Sequence, residues 1–211
     1  MQPDLPFAES GPARLEIAAG VLLLRGFVAT APLLEAIAAI ERRAPFRHLT
    51  TPGGGRMSVA MTNAGQVGWH SDANGYRYVE RDPLTGDPWP AMPASFAELA
   101  RSAAATAGFA AFEPDCVLVN RYVPGAQMGT HRDYDELDLG QPIVSVSIGL
   151  AATFVWYGAT RRDPPVPVPV GDGDVLVWGG PARAGYHGVR RLRAGPDPAA
   201  VRHNLTFRRA R

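Results

Sequence analysis

The chain contains no lysine: each of its 21 basic residues is an arginine. Schiff-base catalysis is therefore impossible, since it needs a lysine amine. Gly53-Gly54-Gly55 cannot be a phosphate-cradling P-loop, because the lysine such a loop requires is missing. His131-Arg132-Asp133 superficially matches the catalytic loop of protein kinases, but that machinery also needs a phosphate-pairing lysine. Cysteine is nearly absent as well. Cys116 stands alone, which excludes an intrachain disulfide and a thiolate zinc cluster and suits a reducing cytosol. Long apolar runs are missing too: Ile17 to Leu24 is far too short to span a membrane, and Asp4 and Glu9 occupy a start with no basic n-region. A cytoplasmic protein without membrane association is expected. Nor is there a net charge to name a partner, with 21 basic against 20 acidic residues. Only the tail is lopsided: from Arg183 to Arg211 it has eight arginines and the single acid Asp197. Such a tail suits either a polyanionic partner or an ordinary solvated terminal strand.

What is present suffices for a core. At 211 residues and 46% apolar content, one domain spanning 1–211 is expected. After a loose, proline-containing start, Leu15 to Val28 alternates like a strand or two. Thr30 and Pro32 signal a helix start; Leu33, Leu34, Ile37 and Ile40 fall on one face before Arg42, Arg43 and Pro45 end the run. A second helix follows Pro93 and Ser95, with Phe96, Leu99 and Ala103 as its apolar face and Gly108 as its stop. Between them, residues 49–92 are rich in glycine and carry Trp69, Tyr76, Tyr78 and Trp89. This stretch reads either as hairpins and loops forming a mobile cover over a site, or as a strand-rich subdomain that buries its own aromatics. From residue 114 short strand-like runs dominate: Cys116 to Tyr122, Ile143 to Leu150, Thr153 to Tyr157, Val175 to Trp178 and Asn204 to Arg208. They point to a sandwich, jelly roll or barrel, with proline-rich Arg161 to Val170 as a loop or edge.

Side chains two apart share a face of a strand. His131 and Asp133 can thus reach one metal if the backbone there is extended, with His187 brought in from a distant strand. Two imidazoles and a carboxylate are the ligand set that holds non-haem Fe(II) on one side and leaves the others open to co-substrate and oxygen. The plainer readings are an acidic surface loop for Asp133, Asp135, Glu136 and Asp138, and a hydrogen-bonded core histidine for His187. In the last strand Arg202, Asn204, Thr206 and Arg208 share one face, and Leu205 and Phe207 the other. Upstream, Leu118, Asn120 and Tyr122 have the same parity. Such a polar face is expensive to bury without a ligand, and a small dicarboxylate would satisfy it through guanidinium forks and neutral donors. Edge-strand charges that discourage aggregation are the alternative, although they would not require Asn204 and Thr206 between them.

Further motifs extend over roughly residues 15–209: Thr51-Pro52-Gly53-Gly54, Met57 to Asn63, Pro88 to Pro93, Asn120-Arg121-Tyr122, Pro142 to Ser147 and Asn204 to Arg208. With the ligand triad they make the chain resemble the AlkB family, Fe(II)- and 2-oxoglutarate-dependent dioxygenases that reverse alkylation damage on nucleobases. The resemblance implies a mainly β, α+β fold: a double-stranded β-helix (jelly roll) catalytic core at 114–209, extended by N-terminal helices and a nucleotide-recognition lid at 49–92. It implies Fe(II) on His131, Asp133 and His187, with O2 as oxidant. It implies 2-oxoglutarate on Asn120, Tyr122, Arg202, Asn204 and Arg208. Substrate contacts would be Trp69 and Tyr76 at the flipped base and adjacent backbone, Tyr78 beside them in the lid, Asp135 facing the damaged base and Arg161 on nucleic acid. The implied partner is alkylated single-stranded DNA, with double-stranded DNA or RNA as alternatives; a monomer is the default expectation.

The chain departs from a family member it resembles at Gly55, which stands where that enzyme has an aromatic, and at Tyr134, which stands where it has a lysine. Arg56, Arg77 and Arg132 are candidate substitutes for phosphate contact. Two rival readings stay open: an oxygenase acting on a protein or small molecule, for which Trp69 and Tyr76 would be dispensable, and a non-catalytic nucleic-acid-binding module, whose binding would be salt-sensitive and metal-independent.

Overall fold

The structure, a computed structural model, describes residues 13–197 and 199–211; the loose start expected at 1–12 lies outside them. Strands β1 (Arg14–Ala18) and β2 (Val21–Leu24) precede helix α1 (Ala31–Arg43). Next come β3 (Arg47–Thr50), β4 (Arg56–Gly65), β5 (Gly68–Asp72), β6 (Gly75–Val79) and helix α2 (Ala94–Thr106). The remainder is strands β7 (Cys116–Tyr122), β8 (Met128–His131), β9 (Ile143–Gly149), β10 (Ala152–Gly158), β11 (Val166–Val170), β12 (Val175–Trp178), β13 (Tyr186–Val189) and β14 (Arg202–Arg208). Both helices occupy the expected places. Thr30, however, does not cap α1 with its side chain. Its hydroxyl donates to Asp172 Oδ2 at 2.9 Å, and the start is marked by Pro32, whose missing N–H costs nothing in a first turn.

Eight strands form one sheet in the order β1-β2-β12-β9-β14-β7-β4-β3, four form a second in the order β11-β10-β13-β8, and β5-β6 is a separate hairpin. The alternation along the central strands divides the core in two. Val117, Val119, Val144, Val146, Leu205 and Phe207 pack under Leu33, Ile37 and Ile40 of α1 and Phe96, Ala100 and Ala103 of α2. Leu118, Tyr122, Leu176 and Trp178 point the other way and meet Phe154, Trp156, Val168 and Val170 of the smaller sheet. Each such side chain, fully buried, contributes about 1.5–3 kcal/mol, so a slip of one residue in β14 or β7 would turn two cores inside out. The result is the jelly-roll core with flanking helices that the sequence resemblance implied. Proline-rich β11 is an edge strand, where Pro167 and Pro169 stay exposed and their lost donors go unmissed.

Residues 49–92 are not uniform. Strand β4 lies inside the large sheet between β3 and β7, with Val59 through Ala64 buried, so the loop-rich cover narrows to the β5–β6 hairpin. That hairpin is anchored at its base. Buried Asn63 accepts from the Trp69 N–H at 3.0 Å and donates to the Trp69 carbonyl at 3.1 Å, and Ser71 donates to Thr50 O. Gly68 is required, because a Cβ there would run into the Trp89 ring.

One pH effect follows from the helix-side face of β14. Burial, then the Arg121 charge, hold the His203 imidazole at about 4, whereas an unfolded histidine titrates near 6.5. The unfolded chain therefore takes up a proton that the folded chain refuses. His203's stability contribution is full above pH 6.5 and is lost as pH falls from there towards 4. The melting temperature of the metal-free protein should drop across that window, and His203→Gln should make the drop shallower.

Candidate active site

The site lies between the two sheets. Strands β7 and β14 pair with Tyr122 opposite Arg202, Asn120 opposite Asn204 and Leu118 opposite Thr206. All six, with Arg208, line one cavity, so the polar stripe read from the alternation is one continuous wall. Ser145, Leu176 and Trp178 extend that wall, and Met128, His131, Phe154, His187 and Val189 form the facing one.

Strands β8 and β13 pair with His131 directly opposite His187, which brings the two ring centroids within 4.4 Å. Asp133 places Oδ1 3.7 Å from His131 Nε2 and Oδ2 3.9 Å from His187 Nε2. The donor atoms of the three residues lie within 4.8 Å of one another, so one ion can meet two imidazoles and a carboxylate from the same side. Backbone carbonyls prepare both rings: Nδ1 of His131 lies 2.9 Å from Gly129 O, and Nδ1 of His187 3.0 Å from Gly185 O. Donating there assigns the proton to Nδ1 and leaves the Nε2 lone pair turned towards Asp133. Burial, then His131, hold His187 down at about 4, so it is neutral and able to ligate at neutral pH. Burial alone would raise the Asp133 carboxyl. The Arg208 guanidinium, followed by His187 and His131, outweighs it and keeps Asp133 ionised well below the usual carboxylate range.

At the other end of the cavity Arg202 is 2% exposed. Nη2 of Arg202 donates to Ser147 Oγ at 3.0 Å, while its Nε and Nη1 have no partner among the described residues. Asn120 Oδ1 and Arg208 Nη1 are buried and equally unpartnered. Arg208 Nη2 donates to Asp133 Oδ2 at 2.9 Å, and its Nε lies 3.2 Å from Glu136 Oε1 but outside hydrogen-bonding geometry. Orphaned donors on a buried guanidinium are costly without an anion. A small dicarboxylate fits both ends, one carboxylate on Arg202 and the other near Arg208 and the metal ligands. Tyr122, whose hydroxyl burial pushes up, remains a neutral phenol beside Arg202.

Several supporting residues escaped the sequence reading. The His187 ring is boxed by Phe154, Trp156 and Trp178, with centroids 5.6, 6.3 and 4.9 Å away. Gly185 permits the box, since a Cβ there would collide with the Trp156 ring. Gly185→Ala should therefore push Trp156 against His187 and displace the carbonyl that sets its tautomer. We expect a 10–100-fold loss of Fe(II) affinity, read by titrating turnover against added Fe(II). Glu136 and Arg183 form a buried knot. Arg183 donates to Asp133 O at 2.9 Å and to Glu136 Oε2 at 2.9 Å, bracing the loop after β8 from beneath.

Trp69, Tyr76 and Asp135 meet two residues along the chain from the ligand Asp133. The two rings stack at 5.5 Å, and Trp69 Nε1 donates to Asp135 Oδ2 at 2.8 Å. Tyr78 pairs directly across the hairpin from Trp69, but it takes no part in the stack: its ring packs against Val67, Cys116 and Ala210, and its hydroxyl donates to Glu136 Oε1 at 2.5 Å, anchoring the hairpin. Arg161 lies apart on the loop after β10, stacked on Tyr186 at 5.1 Å. Of the arginines considered for phosphate contact, Arg77 is held by Asp72 through two hydrogen bonds of 2.7 and 2.8 Å, which leaves Arg56 and Arg132.

A facial set of two histidines and a carboxylate beside a buried, carboxylate-seeking arginine defines a class: oxygenases that use Fe(II), 2-oxoglutarate and O2. The sequence profile of the 2OG-Fe(II) oxygenase superfamily matches residues 20–208. The chain is 49% identical over 208 residues to the alpha-ketoglutarate-dependent dioxygenase AlkB of Salmonella typhimurium strain LT2, covering 97% of this chain and 96% of that protein. Against the AlkB of Escherichia coli strain K12 the identity is 48% with the same coverage. The solved structure of OsALKBH1 superposes with a TM-score of 0.80 at 26% identity, covering 93% of this chain and 99% of that one. The chain belongs to the AlkB family of Fe(II)- and 2-oxoglutarate-dependent dioxygenases. Among the described residues, no helix is long and apolar enough to cross a membrane.

Proposed function

We propose that the protein removes alkyl groups from the ring nitrogens of nucleobases, of the 1-methyladenine and 3-methylcytosine type, acting on single-stranded DNA as a cytoplasmic monomer. The observation that carries this reading is the Trp69–Tyr76 stack hydrogen-bonded to Asp135, two residues from the metal ligand Asp133. An aromatic platform beside a carboxylate suits a flat, cationic ring extruded from its strand. His131, Asp133 and His187 would hold Fe(II), and Asn120, Tyr122, Arg202, Asn204 and Arg208 would hold 2-oxoglutarate. Bound together with O2, these supply an oxidant strong enough to hydroxylate the alkyl carbon attached to nitrogen. A hydroxylated methyl group then leaves as formaldehyde and restores the base.

The protein's own part is positioning. Arg202 fixes the distal carboxylate, Asp133 stays ionised against Arg208, and the carbonyls of Gly129 and Gly185 keep both imidazoles correctly protonated. Asp135 is exposed and accepts from Trp69 through Oδ2 alone, so its charge and its Oδ1 remain available to attract a cationic base held beside the stack. Turnover of cationic 3-methylcytosine and of a neutral N-alkyl adduct should be compared in Asp135→Ala. Selective loss of the cationic substrate supports the electrostatic role; equal rates on both would sink it. Repair of the same lesion in single-stranded DNA, duplex DNA and RNA tests strand preference.

A further inference from the structure

The hairpin grips the loop after β8 twice, on two consecutive residues. Trp69 of β5 and Tyr78 of β6 are directly paired, so their side chains leave the same face of the hairpin. Trp69 donates to Asp135 and Tyr78 to Glu136, two and three residues after the metal ligand Asp133. The two carboxylates have opposite settings. Asp135 is exposed, whereas Glu136 is 7% exposed and engaged through both oxygens. Its Oε1 accepts from Tyr78 and faces Arg208 Nε at 3.2 Å, and its Oε2 accepts from Arg183 at 2.9 Å. Arg183 also donates to Asp133 O, and Arg208 to Asp133 Oδ2. Asp133, Glu136, Arg183 and Arg208 thus form a buried set of two negative and two positive charges. Displacing any one of them would strand a buried charge, so the set is stiff. Burial pushes the Tyr78 hydroxyl well up, which keeps it a neutral donor to this set. The hairpin by contrast is a two-stranded sheet of its own, and two strands alone are marginally stable in water. Tyr78 supplies its buried tie to the loop that carries Asp133.

We propose that Tyr78 and Glu136 are positioning residues for the reaction: their hydrogen bond is a fixed pivot that holds the Trp69–Tyr76 platform at a set distance from the metal ligands. The exposed Asp135 beside it supplies attraction for the cationic base, and the buried Glu136 supplies alignment. This rests on the nucleobase reading above and assigns the placement of the base to two side chains outside the stack. Alignment governs the rate more steeply than affinity does, since a reacting carbon about 1 Å out of place costs about 100-fold. A misaligned base still binds, yet 2-oxoglutarate is consumed without release of formaldehyde.

Tyr78→Phe keeps the ring and removes only the hydroxyl. The holoenzyme is assayed on a single-stranded oligonucleotide with a central 1-methyladenine, with ascorbate present. Ascorbate supplies the two electrons that the alkyl carbon otherwise gives up, so that the second oxygen atom of O2 leaves as water when the base is not hydroxylated. Tyr78→Phe should lower the formaldehyde released per succinate by roughly tenfold, through kcat for formaldehyde more than through KM. In the metal-free protein the same substitution should speed amide hydrogen exchange in β5 and β6 and leave β7 and β14 unchanged. A Tyr78→Phe enzyme with the wild-type ratio of formaldehyde to succinate overturns the pivot, whatever its melting temperature. Exchange that quickens equally in β7 and β14 also overturns it, because the hydroxyl would then support the core in general. In both cases dealkylation by the wild type stands. A wild-type enzyme that releases no formaldehyde from the oligonucleotide overturns the nucleobase reading and the pivot with it.

Discussion

Replacing Asp133 by alanine should abolish turnover and also unfold the metal-free protein more easily. The two effects have separate causes. Asp133 supplies the only carboxylate of the metal-binding set, so without it two imidazoles are left to hold the ion. It is also the hydrogen-bonded ionic partner of Arg208, at 2.9 Å in a site where both side chains are nearly inaccessible. Removing one member of such a pair leaves an uncompensated buried charge, at a cost of about 3–5 kcal/mol. Asp133→Asn separates the effects: its amide oxygen still accepts from Arg208, but it lacks the charge an Fe(II) ligand set requires. Succinate release should disappear in both variants, while the melting temperature should fall far more in Asp133→Ala. If Asp133→Asn kept a normal rate, the carboxylate would not be a ligand.

Arg202 should behave in the opposite sense. Its Nε and Nη1 are buried without partners, and no carboxylate among the described residues pairs with it. Burial even lowers its pKa, a sign that the free protein holds this charge at a cost. Arg202→Met keeps the length of the side chain and removes the charge. It should weaken 2-oxoglutarate binding by about 30-fold or more, the consequence of deleting one member of a buried, hydrogen-bonded charge pair. It should also leave the ligand-free protein as stable as before or more so, because an orphaned buried charge is gone. Anaerobic calorimetry with 2-oxoglutarate and Fe(II) reads the first effect, and thermal denaturation without ligand the second. A ligand-free Arg202→Met that melts well below wild type would show that Arg202 is primarily structural.

These two residues also show what the sequence made legible. Arg202 and Arg208 could be assigned to one face of a strand because alternation is local geometry, and pairing of β14 with β7 then set Arg202, Asn204 and Thr206 against Tyr122, Asn120 and Leu118 as that parity requires. Asp133 was legible as a candidate ligand, but its partnership with Arg208 spans 75 residues and depends on how two sheets stack. The aromatic box around His187 was hidden for the same reason: Phe154, Trp156 and Trp178 come from β10 and β12 and read in sequence as ordinary core. In 49–92 the glycines mark the ends of strands as well as loops. Gly53 to Gly55 lead into a ten-residue strand, Arg56–Gly65, whose residues 59–64 are buried inside the large sheet, and only the hairpin after it has the character of a cover. Tyr78 looks like Tyr76 in sequence, yet its hydroxyl reaches Glu136 and its ring packs inward. Burial at that range has no local signature. The AlkB resemblance carried the functional reading because its motifs lie on several strands that converge on the cavity only in the folded chain.

One pocket is expected to couple 2-oxoglutarate oxidation to removal of an N-alkyl group from a base. The most direct measurement is the joint yield of succinate and formaldehyde from a single-stranded oligonucleotide bearing 1-methyladenine, with Fe(II), 2-oxoglutarate and oxygen supplied. Formaldehyde should match the lesions repaired, succinate should rise with it, and both should vanish in His187→Ala. Succinate release that continues with no formaldehyde from any methylated oligonucleotide would contradict that coupling.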